Sequence, residues 1–115
     1  MNPIRRKLRS FLIETAHNGI NAVDPESMCA KELSKIKDID AAVVETVEKI
    51  CQAATSAEIT KVLLLVARLR GTSGQKRESI TNDIKKISEV LIARVEAESG
   101  PLKLPQSCRI ILLGV

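Results

Sequence analysis

The sequence predicts an all-α protein: a small bundle of four to five helices, completed as a homodimer. Three observations carry this. Aliphatic residues recur at three- and four-residue intervals along most of the chain. Cap residues and Gly/Pro punctuation divide those stretches into helix-sized pieces. The core must be built almost without aromatics, because Phe11 stands alone and there is no Trp or Tyr. Aliphatic side chains interdigitate well between helices but bury less area per residue than aromatics. The sequence therefore predicts that a second copy of the chain supplies part of the core.

At 115 residues, with 44% hydrophobic and 28% charged side chains, the chain is globular rather than disordered in composition. It divides into one helical domain over residues 1–100 and an extended tail over 101–115. The first helix begins at Pro3, a residue suited to the first helical position. Ile4, Leu8, Phe11, Leu12 and Ala16 form its apolar stripe, and Asn18-Gly19 reads as its stop. Arg5, Arg6, Lys7 and Arg9 crowd its first turns. Cations there oppose the helix dipole, so something other than intrinsic helix stability places them.

Asp24-Pro25-Glu26 reads as the start of a second helix, with Cys29, Leu33 and Ile36 on its apolar side. Asp38 or Asp40 caps a third, whose stripe is Val43, Val47, Ile50 and Ala54. Thr55 and Glu58 have capping-box spacing. With no Gly or Pro nearby, two arrangements stay open: a new helix from Thr55, or one long bent helix over 40–70. Ile59 to Leu69 is apolar nearly all round, a pattern that wants cover on several sides. A strand over Val62–Val66 is the rival, and length and flanks favour helix. After a turn at Gly71-Thr72-Ser73-Gly74, a last helix spans about Gln75 to Glu98. Its stripe of Ile80, Ile84, Ile87, Leu91 and Val95 has heptad-like spacing. Ser99-Gly100-Pro101 ends it, with Gly100 placed for a left-handed cap. The tail, including Ile110–Leu113, either packs across the helices or stays loose.

The chemistry-bearing residues point away from catalysis. Cys29, Cys51 and Cys108 lack metal-ligand or redox-motif spacing and read as reduced, partly buried thiols of an intracellular, cytoplasmic protein. The single histidine, His17, reads as a helix-end residue beside Asn18-Gly19, and Cys51 with His17 has no spacing that supports a thiol–imidazole pair. No nucleotide-binding loop and no metal set is present, so the sequence predicts a non-enzymatic protein without cofactor. There is no secretory signal pattern, and the longest apolar run, Val62–Ala67, is too short to cross a bilayer.

The net charge of +4 is unevenly spread. Residues 1–37 hold seven basic and four acidic side chains, whereas 38–55 hold one basic and four acidic. Without aromatic platforms, stacking on single-stranded bases is disfavoured, which leaves phosphate contacts from Lys and Arg on helices, a mode suited to duplex RNA read by shape. The candidate contacts are Lys31, Lys35, Lys49, Lys61, Arg68 and Arg70. Lys61 and Arg68, seven apart, share a helix face. The candidate partner interface is Leu64, Leu65, Ile84, Ile87 and Leu91, which would serve a homodimer or, in the alternative reading, a protein–protein assembly module with no nucleic-acid role.

Over residues 59–99 the chain resembles the nodavirus RNA-silencing suppressors that bind double-stranded RNA. The resemblance lies in the apolar helix ending in Leu69-Arg70-Gly71, the short polar loop, and the amphipathic helix bearing Ile80, Ile84, Ile87 and Leu91. It implies an antiparallel helical dimer lying along an RNA duplex and shielding it from cleavage. No RNA-contacting residue carries over from that family one by one.

Overall fold

The computed structural model describes residues 2–109. It contains five α-helices, α1 (Pro3–Ala22), α2 (Met28–Leu33), α3 (Ile39–Ala53), α4 (Ser56–Leu69) and α5 (Gly74–Ser99), followed by a 3-10 turn at Gln106–Cys108. No strand occurs among the described residues, so Val62–Val66 is helical. α1 packs on α3 and α4, and α5 closes the bundle against the same two helices.

Local chemistry fixes most helix starts. The Asn2 side chain accepts from Arg5 N at 2.9 Å, with Pro3 next in line. Leu8, Leu12 and Ala16, one turn apart, are buried. α1 does not stop at Asn18-Gly19. It runs on to Ala22, because Ile20 and Val23 pack against the core beyond the glycine. A glycine inside a helix costs about 1 kcal/mol, which such packing offsets.

α2 starts later than the Asp24-Pro25-Glu26 signature suggests. Asp24 Oδ1 instead accepts from Glu26 N at 3.0 Å in a tight turn, and Ser27 takes the cap, its Oγ accepting from Ala30 N at 3.1 Å. Asp38 caps α3 by accepting from Ala41 N at 3.0 Å. The open question over 40–70 resolves as two helices, turned by 118°. The capping box explains how the chain turns without Gly or Pro. Thr55 Oγ1 accepts from Glu58 N at 3.2 Å, and Glu58 Oε1 accepts from Thr55 N at 2.8 Å. Both groups would otherwise lack a helical partner.

The core is almost wholly aliphatic. Val43, Val47, Ile59, Val62, Leu91, Ile92 and Val95 are all buried in it. The over-apolar α4 finds cover within its own chain: Ile59, Val62 and Leu65 are buried, Leu63 and Val66 half-buried, and only Leu64 stands out, 58% exposed. The α5 stripe is also used internally. Gly100, at φ +80°, ends α5 and donates to Glu96 O at 2.9 Å.

One expectation needs correction. Cys29 and Cys108 are not free thiols: they form a disulfide, with Cα atoms 5.0 Å apart, and only Cys51 is free. Seventy-nine residues separate the pair in sequence, so spacing gives no hint that the chain end returns to α2. Up to residue 109 the tail lies against the helices, one of the two arrangements the sequence leaves open. Leu104 and Cys108 are buried, and the 3-10 turn packs on α2. The apolar run Ile110–Leu113 and the chain end Leu113-Gly114-Val115 lie outside the described residues.

Candidate functional site

The cations of α1 divide into two sets. Arg5 points inward: its Nη1 donates to the carbonyls of Cys51 and, at 2.7 Å, Ala54 at the C-terminal end of α3. Arg9 pairs with Glu48 of α3 at 3.2 Å. Half of the basic run is thus engaged with α3: Arg5 as a tertiary cap for a helix whose last turn has no cation of its own, and Arg9 as an ion pair to it. Arg6 and Lys7 are exposed and pair with no carboxylate among the described residues.

Arg6 and Lys7 instead line an open groove of about 710 Å³ between α1 and α4. Its floor is Ile4, Phe11, Leu63 and Val66, and Arg70 stands on the α4 side. On the other flank of α4, a second depression of about 590 Å³ lies against α5, lined by Arg68 and Lys76 with Thr72 and Ser79. Ala67 borders both depressions, so they adjoin across the C-terminal end of α4. The result is one surface spanning three helices with five cations, Arg6, Lys7, Arg68, Arg70 and Lys76, against two carboxylates, Glu14 and Asp83. Lys61 and Leu64 share the exposed strip of α4 with Arg68, two turns and one turn away from it respectively.

The residues singled out from sequence therefore separate. Arg68 and Arg70 belong to this surface, whereas Lys61, exposed two turns before Arg68 on α4, lines neither depression. Lys49 lies 3.5 Å from Glu45, one turn earlier on α3, and is engaged there. Lys31 and Lys35 are exposed on and just after α2, away from the residues lining either depression. Arg6, Lys7 and Lys76 were not among the sequence candidates. The signal for the first two was the cationic start of α1, which the helix dipole disfavours. Of the apolar interface candidates, Leu65, Ile84 and Leu91 are buried inside this chain, Ile87 is half-buried against its core, and Leu64 alone is exposed.

The chemistry of the remaining reactive groups is quiet. Cys51 is fully buried, and burial pushes its thiol up to about 11, far from a nucleophilic thiolate at neutral pH. His17 lies five residues before the end of α1, not at its end, with Nε2 3.3 Å from Asp40 Oδ1. Among the described residues no group of three or more His, Cys, Asp or Glu is placed to hold a metal ion. No single helix among them is long and apolar enough to cross a membrane. Comparison with family models, with curated proteins and with solved structures returns no match.

Proposed function

We propose that the chain is a non-enzymatic helical protein that binds double-stranded RNA without sequence preference and, as a homodimer, shields it. The observation that supports this reading is the adjoining basic surface of Arg6, Lys7, Arg70, Arg68 and Lys76, whose cations have no carboxylate partner among the described residues, while Arg9, Lys49, Arg94, Lys103 and Arg109 do. Unpaired guanidinium and ammonium groups spread over three helices match phosphates along a backbone, and RNA duplexes are bound through backbone and shape. Phe11, the only aromatic, is half-buried in the groove, which disfavours base stacking as the binding mode. The exposed Leu64, beside Lys61 and Arg68, is apolar surface that a second copy would cover.

The test is a gel shift with an RNA duplex of about 20 base pairs, long enough to span two minor grooves, at low and moderate salt, with single-stranded RNA and duplex DNA as controls. Salt-sensitive binding to duplex RNA is the expected outcome. No binding at low salt overturns the reading. The apolar floor of the groove, Ile4, Phe11, Leu63 and Val66, would then favour the protein–protein module, in which the same cations meet an acidic helix.

A further inference from the structure

We propose that the Cys29–Cys108 disulfide is a redox-operated staple: it holds α2 and the C-terminal arm, residues 101–109, together on the bundle, and a dithiol reductant releases both. This inference does not depend on the RNA reading, since neither segment lines the basic surface.

At six residues, α2 is too short to persist on its own. Its two buried side chains are Leu33 and Cys29 itself, so one of its two inward anchors is half of the disulfide. The element packed on α2 is the 3-10 turn Gln106–Cys108, which carries the other half. A three-residue turn is no more self-sufficient. Each element is thus the other's support, and the bond closing a separation of 79 residues is what makes the support permanent. The arm's other attachments among the described residues are buried Leu104, half-buried Leu102 and two ion pairs near the surface, Lys103–Glu45 at 2.8 Å and Arg109–Glu96 at 2.6 Å. Partly exposed pairs of this kind hold weakly and are screened by salt.

The exchange chemistry is confined to this pair. A reductant thiolate attacks the Cys29 sulfur, on the residue that keeps 7% of its surface exposed where Cys108 keeps none. Cys108 leaves as a thiolate and takes a proton. The second thiol of the reductant then displaces Cys29 from the mixed disulfide, leaving two protein thiols and an oxidised dithiol. Cys51, buried and free, is no competitor for either sulfur. A reducing compartment therefore keeps the staple open and an oxidising one closes it. Opening uncovers the apolar contacts of Leu33 and Leu104 and loosens the helix that carries Lys31.

The experiment compares hydrogen–deuterium exchange of the full chain after treatment with glutathione disulfide and after dithiothreitol, with thiols counted in denaturant under both conditions. One thiol after oxidation and three after reduction are expected. Reduction should speed amide exchange about tenfold or more in residues 28–36 and 101–109, with α4 and α5 unchanged. The Cys29→Ser/Cys108→Ser variant should match the reduced protein and ignore dithiothreitol. Three thiols after oxidation, equal exchange in both redox states, or acceleration spread evenly over the chain would each overturn the proposal. The wild-type comparison stands by itself if the double variant folds poorly.

Discussion

Arg94 grips Glu58 with both arms of its guanidinium, Nη1 to Oε1 at 2.7 Å and Nη2 to Oε2 at 2.9 Å. The same Nη1 donates to Ala53 O at 2.9 Å. One residue of α5 thus ties the end of α3 to the start of α4 at the corner where the chain turns by 118°. The bidentate pair and the capping-box hydrogen bonds of Thr55 hold the Glu58 carboxyl down at about 2, against an ordinary 4.5. The folded-state value lies below the unfolded one, so this contribution is fully present above pH 4.5 and is lost as pH falls towards 2. Glu58 is about a quarter exposed, so solvent screening discounts it to roughly 1–2 kcal/mol. Glu58→Gln should lose that much at pH 7, and its stability should vary less than the wild type's between pH 5 and 2 (roughly the window set by linkage). Urea unfolding across that range measures both. Parallel acid limbs for the two proteins would refute the assignment.

Cys51 offers a second check. Its thiol is fully buried and raised to about 11 by that burial, outweighing the opposing fields of Arg9 and Arg5. At pH 8 the thiolate is then about a thousandfold scarcer than the thiol. Iodoacetamide should leave Cys51 unmodified in native protein and alkylate it in denaturant, as peptide mass spectrometry would show. Modification in the native state would mean that α3 opens far more often than this packing allows.

The apolar candidates make opposite predictions. Leu91 is 3% exposed at the centre of the aliphatic core, whereas Leu64 is 58% exposed. Leu91→Asp buries an unpaired carboxylate and leaves a void, a loss of about 4 kcal/mol or more, comparable to the whole stability of a small domain. It should unfold the chain. Leu64→Asp should keep helicity by circular dichroism, and on the homodimer reading it should shift the protein to a smaller species in light scattering. A folded Leu91→Asp protein would move that stripe from core to interface.

Much of the fold was legible because its signals are local. The stripe Val43, Val47, Ile50 and Ala54, the Asp38 cap and the Thr55–Glu58 box all depend on residues within a turn or two of each other. The start of α2 was misread locally, since Ser27 rather than Asp24 takes the cap, but the larger misreadings were tertiary. Asn18-Gly19 is a stop in isolation, but Ile20 and Val23 have core to reach. Cys29 and Cys108 meet because the arm folds back, which no spacing encodes. In the candidate site, Arg68 and Arg70 were visible as cations at the end of α4. Lys49 looked equivalent to them until Glu45 proved to be its partner. Arg5 and Arg6 are neighbours in sequence with opposite fates, one capping α3 and one lining the groove. Helix phase relative to two other helices decides that, and it emerges only from packing.

The basic surface makes the most direct functional prediction. If all five of its cations meet phosphates, affinity for duplex RNA should fall roughly 10²–10³-fold between 50 and 200 mM salt. Arg68→Ala/Arg70→Ala should lower affinity equally for unrelated duplex sequences and reduce the slope of log affinity against log salt by about 1–2. Both side chains are exposed and have no carboxylate partner among the described residues, so thermal stability should stay within about 0.5 kcal/mol of wild type. Lys31→Ala/Lys35→Ala is the matched control: it removes the same net charge from the α2 region, outside both depressions. Net charge acting at a distance would weaken binding alike in the two variants. Direct phosphate contact at the end of α4 would weaken it only in the first, and that difference is what separates a docking surface from general basicity.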